Sequence, residues 1–186
     1  MNFPKKIKSN RIELTGVHKP TFELANEIYH HIEESRAHLE VFLPWADTTK
    51  SPEDEFVALK DFAQGFDQKT NFAYIIREKN THRFLGCIEL MNVDTKNLSA
   101  EIGYWLSKKA CGNGYMLEAV RALEKVAFEK GINRIVIRND VKNIKSAHVA
   151  RNAGYHLDGV LREIRFNDKT KQFDSSNVWS KLKSEA

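Results

Sequence analysis

The run from Ser99 to Met116, SAEIGYWLSKKACGNGYM, constrains this chain more than any other part of it. It reads as a β-strand, Ala100–Leu106, that passes into a glycine-bearing turn, and the turn opens a long amphipathic helix over residues 112–130. That order gathers free backbone N–H groups and the positive end of a helix dipole at one point, which suits a pyrophosphate. The turn is not a Walker loop, because no Gly-Lys-Ser/Thr follows. Nor does Gly112-Asn113-Gly114, which runs on as Tyr115-Met116-Leu117, complete G-x-G-x-x-G. Taken alone, the glycines serve equally well as an ordinary strand-to-helix turn that needs positive φ.

The flanking sequence predicts one domain spanning residues 1–186. Residues 10–17 alternate as a strand, and Thr21 caps a helix whose apolar positions run Phe22, Leu24, Ala25, Ile28, Tyr29 and Ile32. Residues 36–43 read as a second short helix ended by Pro44. Ser51-Pro52-Glu53-Asp54-Glu55 is a helix start with cap, proline and first-turn acids. Strands follow at Phe72–Arg77, Arg83–Met91 and Ala100–Leu106. After the long helix, which stops at Gly131, come strand 134–138, helix 144–153 and strands near 156–166 and 174–182. Helices first, then a meander of strands, then β-α-β-α-β, predict a mixed α/β sheet with helices on both faces.

A second element stands at Val141–Tyr155, VKNIKSAHVARNAGY, a short helix stopped by Gly154. Together AEIGYWL, CGNGYMLEAV, and NxxS with ARNAGY resemble the GNAT superfamily of acyl-CoA-dependent N-acetyltransferases. Within it the chain resembles the RimJ/RimL group of ribosomal-protein N-terminal acetyltransferases. Asn10-Arg11-Ile12-Glu13-Leu14 is similar to that group's first strand, Leu43-Pro44-Trp45 to its LPW segment, and Gly159–Leu182 to its last two strands. The resemblance implies a single-domain fold with a mostly antiparallel sheet and a V-shaped splay, with acetyl-CoA as co-substrate in the V.

What it implies residue by residue is as follows. Cys111, Gly112, Asn113, Gly114, Tyr115 and Met116 cradle the diphosphate. Cys111 stands where the family pattern has Gln or Arg, so a long polar side chain is missing there. Tyr104, Trp105 and Leu106 offer backbone groups to the pantetheine arm, although Tyr and Trp are also good strand formers and core fillers. Asn143 hydrogen-bonds the same arm. Glu101 is the candidate general base; as a plain reading it is an exposed strand glutamate. Ser146 is the candidate general acid for the departing thiolate, because the tyrosine many superfamily members carry seven residues after the asparagine is Ala150 here. The plain reading of Ser146 is a helix N-cap. Some members place an acid near the start of the last two strands, and Glu163, in Arg162-Glu163-Ile164-Arg165, is the candidate for it.

The amine sets how much help is needed. An N-terminal α-amine, with a pKa of about 7.7–8.0, is roughly a tenth neutral at pH 7, against under a thousandth for lysine at about 10.4. An α-amine acetyltransferase can thus work with a weak base, and the acceptor that the resemblance favours is a peptide N-terminus, of a ribosomal or another protein. Two alternatives stay open: a small amine (polyamine, amino sugar or aminoglycoside), and an acyl-CoA-binding module without catalysis. Glu33, Glu34, Glu40, Asp47, Glu53, Asp54 and Glu55 make the first seventy residues locally acidic, which suits a polycation.

Composition narrows the classes. The chain is 41% hydrophobic and 29% charged, an ordinary soluble profile, with no apolar run of about 18 residues to span a membrane and no secretory h-region in MNFPKKIKSN. A net charge of +4, spread without a basic tract, gives no footprint for specific nucleic-acid binding. Cys87 and Cys111 make neither a zinc spacing nor a disulfide framework, and the seven histidines follow no ligand spacing, so no metal is expected. The expected setting is the cytoplasm, and a homodimer is among the expectations the resemblance carries.

Overall fold

The computed structural model describes residues 1–186. In chain order the elements are β1 (Lys6–Lys8), β2 (Ile12–Gly16), α1 (Phe22–Leu39), α2 (Trp45–Thr48), α3 (Pro52–Gln68), β3 (Phe72–Glu78), β4 (Phe84–Asp94) and β5 (Ser99–Leu106). There follow α4 (Tyr115–Glu129), β6 (Arg134–Asp140), α5 (Ile144–Asn152), β7 (His156–Asn167) and β8 (Gln172–Leu182). The eight strands form one sheet in the order β1-β2-β3-β4-β5-β6-β8-β7. Every pairing is antiparallel except β5 with β6.

Central strands are buried on both faces, and β3 shows how. Phe72, Tyr74 and Ile76 join a core with Val120, Leu123 and Ala127 of α4, while Ala73 and Ile75 join another with Ile28 and Ile32 of α1 and Leu59 of α3. Helices α4 and α5 therefore cover one face and α1 and α3 the other. A buried ion pair ties α4 to β8: Lys181 Nζ donates to Glu124 Oε1 at 2.8 Å and to the Ala153 carbonyl at 3.0 Å.

Local signals placed most helix starts. Thr21 Oγ1 accepts from the Leu24 amide, and Ser51 and Asp54 form the capping box that opens α3. Three expectations are corrected. No separate helix spans 36–43: α1 runs unbroken to Leu39, held there by Arg36, which pairs with Glu33 and donates to the carbonyls of Ala46 and Thr49. Pro44 opens the one-turn α2 rather than ending a helix, since its fixed φ suits a helix start. The long helix begins at Tyr115, not 112, because Gly112 and Gly114 hold φ of +83° and +76°. The first strand shortens to Ile12–Gly16 and pairs with β1, three residues that escaped notice.

The feature that positions the site is a divergence. β5 and β6 pair at Ser99–Arg134, Ala100–Ile135 and Glu101–Val136, and no further. Beyond Glu101, β5 stays on β4 as far as Leu106 while β6 stays on β8 as far as Asp140. A V opens between them.

Candidate active site

One wall of the V is the backbone of β5 from Ile102 to Leu106, paired to β4 on one side and free on the other. At its mouth lies the glycine turn. The amides of Gly112, Asn113, Gly114, Tyr115 and Met116 donate to no group of the protein, so five N–H groups stand open at the start of α4. A Cβ on Gly112 would meet nothing within 4 Å, and one on Gly114 only the Arg11 guanidinium at 3.5 Å. The requirement for glycine is therefore the left-handed φ, not lack of room.

Arg11 holds this turn from β2's side. Its Nη1 donates to the Asn113 carbonyl at 3.0 Å, its Nε and main-chain N–H reach the Glu118 carboxylate at 2.8 and 2.7 Å, and its guanidinium lies 4.8 Å from the Tyr115 ring centre. Burial alone would raise the Glu118 carboxyl, but the Arg11 amide and guanidinium hold it below its ordinary value. Asn113 Nδ2 closes the turn on the carbonyls of Ala110 and Cys111. The side chains of Tyr115 and Met116 are buried in the core, and the Tyr115 hydroxyl donates to Glu78, so only their main chains face the turn. Cys111 is half-buried, 3.6 Å from His38 Nε2, with its thiol pushed up by burial. The positive charge of Lys145 bears on both Cys111 and His38, and that of Lys108 on His38.

The opposite wall carries Asn143, and here the sequence reading of Ser146 is corrected. The N-cap of α5 is Asn143, whose Oδ1 accepts from the Ser146 amide at 3.1 Å. Ser146 sits in the first turn with its hydroxyl free for another partner. That partner crosses the V: Tyr104 Oη lies 2.9 Å from Ser146 Oγ. Burial pushes the Tyr104 phenol up to about 12, with the Ser146 hydrogen bond opposing the shift. The Asn143 side-chain nitrogen, Nδ2, donates to nothing in the protein, while its main-chain N–H donates to the Asp140 carbonyl at 2.9 Å.

Alternation along β5 separates the remaining candidates. Tyr104 and Leu106 pack towards the core of α4 and α5, whereas Trp105 packs towards that of α1 and α3, 5.7 Å from Trp45 and 5.7 Å from Phe84. Glu101 shares the face of Trp105. It occupies the last paired rung, at the closed end of the V, with Arg138 Nε 3.6 Å from its carboxylate. The V thus has a carboxylate on one face and a Tyr–Ser hydroxyl pair on the other. Glu163 is elsewhere: it is exposed, with φ +51°, in a bulge of the outermost strand β7, and its amide donates to Ser175 Oγ. No hydrogen bond or ion pair joins it to Glu101, Tyr104 or Ser146.

This combination of free strand edge, glycine turn and split α/β sheet has close counterparts. A family model described as an acetyltransferase (GNAT) domain matches residues 17–156. The chain belongs to the GNAT acetyltransferase family. It is an acetyl-CoA-dependent enzyme of that kind, and no helix is long and apolar enough to cross a membrane. The ribosomal-protein-serine acetyltransferase of Escherichia coli (strain K12) is 28% identical over 83% of this chain and 85% of its own length. Among solved structures, the microcin C7 self-immunity acetyltransferase MccE, in complex with acetyl-CoA and AMP, superposes with a TM-score of 0.87 at 25% identity, covering 97% of both chains. RimL, a ribosomal α-N-protein acetyltransferase in complex with coenzyme A, has the same fold, with a TM-score of 0.87 at 22% identity over 95% of this chain and 97% of that one. No group of three or more His, Cys, Asp or Glu is placed to hold a metal ion.

Several parts of this GNAT site escaped sequence reasoning. Arg11 and Trp45 lie in segments noted for their resemblance, yet nothing local tells that one clasps the turn and the other packs on Trp105. The Tyr104–Ser146 contact spans 42 residues of sequence and has no local signal.

Proposed function

We propose that this GNAT enzyme, with residues 1–186 as one catalytic domain, transfers acetyl from acetyl-CoA to the N-terminal α-amine of a ribosomal protein or another peptide. The observation that carries this reading is the V between β5 and β6, with Glu101 on one face and the Tyr104–Ser146 pair on the other. Acetyl-CoA lies along the free edge of β5, its diphosphate on the amides of 112–116 and its pantetheine arm on Tyr104–Leu106 and Asn143. The amine enters from the α1/α3 face and meets Glu101. Its nitrogen forms a bond to the thioester carbon, the C–S bond breaks, and the thiolate takes its proton through Ser146. The reaction is direct transfer in a ternary complex; Cys111 sits at the phosphate end and carries no acetyl group.

The acidity of residues 33–55, which favoured a polycation, is largely answered within the fold. Glu33 pairs with Arg36, Glu34 with Lys109, and both Glu40 and Asp47 with Lys169, while Asp54 caps α3. Lys169 belongs to the β7–β8 turn, so its two ion pairs draw that hairpin against the α1–α2 segment. The similarity to the Escherichia coli ribosomal-protein-serine acetyltransferase supports the same acceptor. Thiol release from acetyl-CoA tests the reading, with peptides bearing free or blocked Ser and Ala N-termini beside spermine and an aminoglycoside. Turnover confined to free peptide N-termini is expected. Turnover confined to the small amines overturns it.

A further inference from the structure

At the closed end of the V, on the face that carries Glu101, the sheet holds a cavity of about 270 Å³. Cross-strand pairing sets its floor. Ser99 stands opposite Arg134 and Glu101 opposite Val136, and Arg138 is the next residue of β6 on the same side. Alternation along β6 buries Ile135, Ile137 and Asn139 and leaves Arg134, Val136 and Arg138 only partly covered or exposed towards the cavity. Its rim is the end of the β4–β5 hairpin. The register of β4 shifts between Met91 and Asp94, Asn92 takes φ +53°, and Asn92 and Asn97 line the edge. No helix residue lines the cavity, which adjoins the place where the amine meets Glu101.

The charges lining it are two guanidiniums and one carboxylate. Arg138 approaches Glu101 through Nε alone, at 3.6 Å, and makes no hydrogen bond, so both of its Nη nitrogens are unclaimed. Arg134 gives Nη2 to Asp158 of β7 at 2.6 Å and keeps Nε and Nη1. Asp158 is also engaged by Ser180, whose Oγ donates to it at 2.8 Å. Asn92 Nδ2 donates to nothing in the protein. An amine that settles on Glu101 takes over the carboxylate that Arg138 faces, and the guanidinium then lacks a counter-charge. An acceptor that brings its own carboxylate supplies one, in the planar form that a guanidinium fork binds best. A cationic side chain in the same place meets like charge. Arg134 and Arg138 each stand two residues along the strand from the Glu101–Val136 rung, about 7 Å. An extended acceptor covers that distance in about two residues.

We infer that this cavity is the subsite for an acidic side chain on the acceptor's second residue, held by Arg138 and Arg134 with Asn92 as a further donor. The inference rests on the reading that acetyl goes to a peptide α-amine, and it names the class of peptide within that reading. Arg138 then has two partners in turn: Glu101 while the site is empty, and the acceptor's carboxylate once the amine has reached Glu101.

The test compares the full chain with Arg134→Gln, Arg138→Gln and the double variant on three peptides that differ only at the second residue. These begin Ser-Asp, Ser-Asn and Ser-Lys, and spermine serves as a fourth acceptor. Each protein is judged by the ratio of kcat/KM between peptides, so that an effect of Arg138 on Glu101 common to all of them cancels. The wild type is expected to favour Ser-Asp over Ser-Asn by at least about tenfold and to rank Ser-Lys last. Each single variant should shrink the Asp-over-Asn ratio, and the double variant should bring it to about one. Acetyl-CoA affinity, read by calorimetry, should stay within about twofold of wild type throughout, which a general loss of the fold would not allow. Equal kcat/KM on the three peptides in the wild type overturns the proposal and leaves the α-amine reading standing. So does a preference for Ser-Asp that survives in the double variant. A wild type silent on every peptide yet active on spermine overturns the acceptor reading, and the proposal with it.

Discussion

The two hydroxyls at 2.9 Å, Tyr104 Oη and Ser146 Oγ, bring together a strand and a helix from opposite sides of the V. Because burial holds the tyrosine up to about 12, it stays protonated throughout the working range and can keep the serine oriented as a donor. Ser146→Ala should lower kcat by about 10- to 100-fold with little change in acetyl-CoA affinity, measured by steady-state kinetics beside calorimetry. A full-rate variant leaves Ser146 a first-turn residue and no more. Glu55 makes a separate prediction about stability. Its carboxyl is raised from 4.5 to about 7, so the folded state binds more protons than the unfolded one between those values. The associated stability is complete below pH 4.5 and lost as pH rises through 7. Glu55→Gln removes that loss: from pH 5 to pH 8 its stability should gain on wild type by about 2–3 kcal/mol, read from urea unfolding at both pH values.

At the scale of elements, the turn before α4 is specified by conformation rather than by space. Gly114 has φ +76° and an open position where a Cβ would go. Gly114→Val should cost more than Gly114→Asn, since asparagine tolerates the left-handed region and a β-branched residue does not; the difference should be about 1–2 kcal/mol in stability. Both should weaken acetyl-CoA binding, because the open amides belong to this conformation. Arg11→Ala tests the clasp from β2: acetyl-CoA affinity should fall by about tenfold with the fold retained, measured by calorimetry and circular dichroism. This scale also shows what the sequence made legible. Caps such as Ser51-Pro52 and the glycine turn are local, and the strand-turn-helix around Gly112–Gly114 follows from residues in one window. Arg11 on Asn113, 102 residues away, and Trp45 on Trp105 exist only once the sheet has formed. In the 36–43 segment Pro44 has the local signature of a stop, whereas Arg36 ties the end of α1 to the carbonyls on the far side of that proline.

For the molecule as a whole, the sheet works as a partition that is interrupted at one place. In the proposed reaction the cofactor and leaving group belong to the α4/α5 face and the amine and Glu101 to the α1/α3 face, and the V after Glu101 is where the two sides meet. Its geometry depends on β6 staying with β8 while β5 stays with β4. The buried Lys181–Glu124 pair, with side chains 10% and 8% exposed, locks β8 to α4 behind that opening. Lys181→Ala strands a buried carboxylate and should destabilise the fold by about 3–5 kcal/mol, seen as a lowered urea midpoint. The acetyl-transfer account meets its most direct test in tandem mass spectrometry of a peptide that begins with serine and contains an internal lysine, after incubation with the enzyme and acetyl-CoA. The acetyl group on the α-nitrogen alone is the predicted result. Acetyl on the lysine side chain, or an unmodified peptide beside an acetylated polyamine, would contradict it.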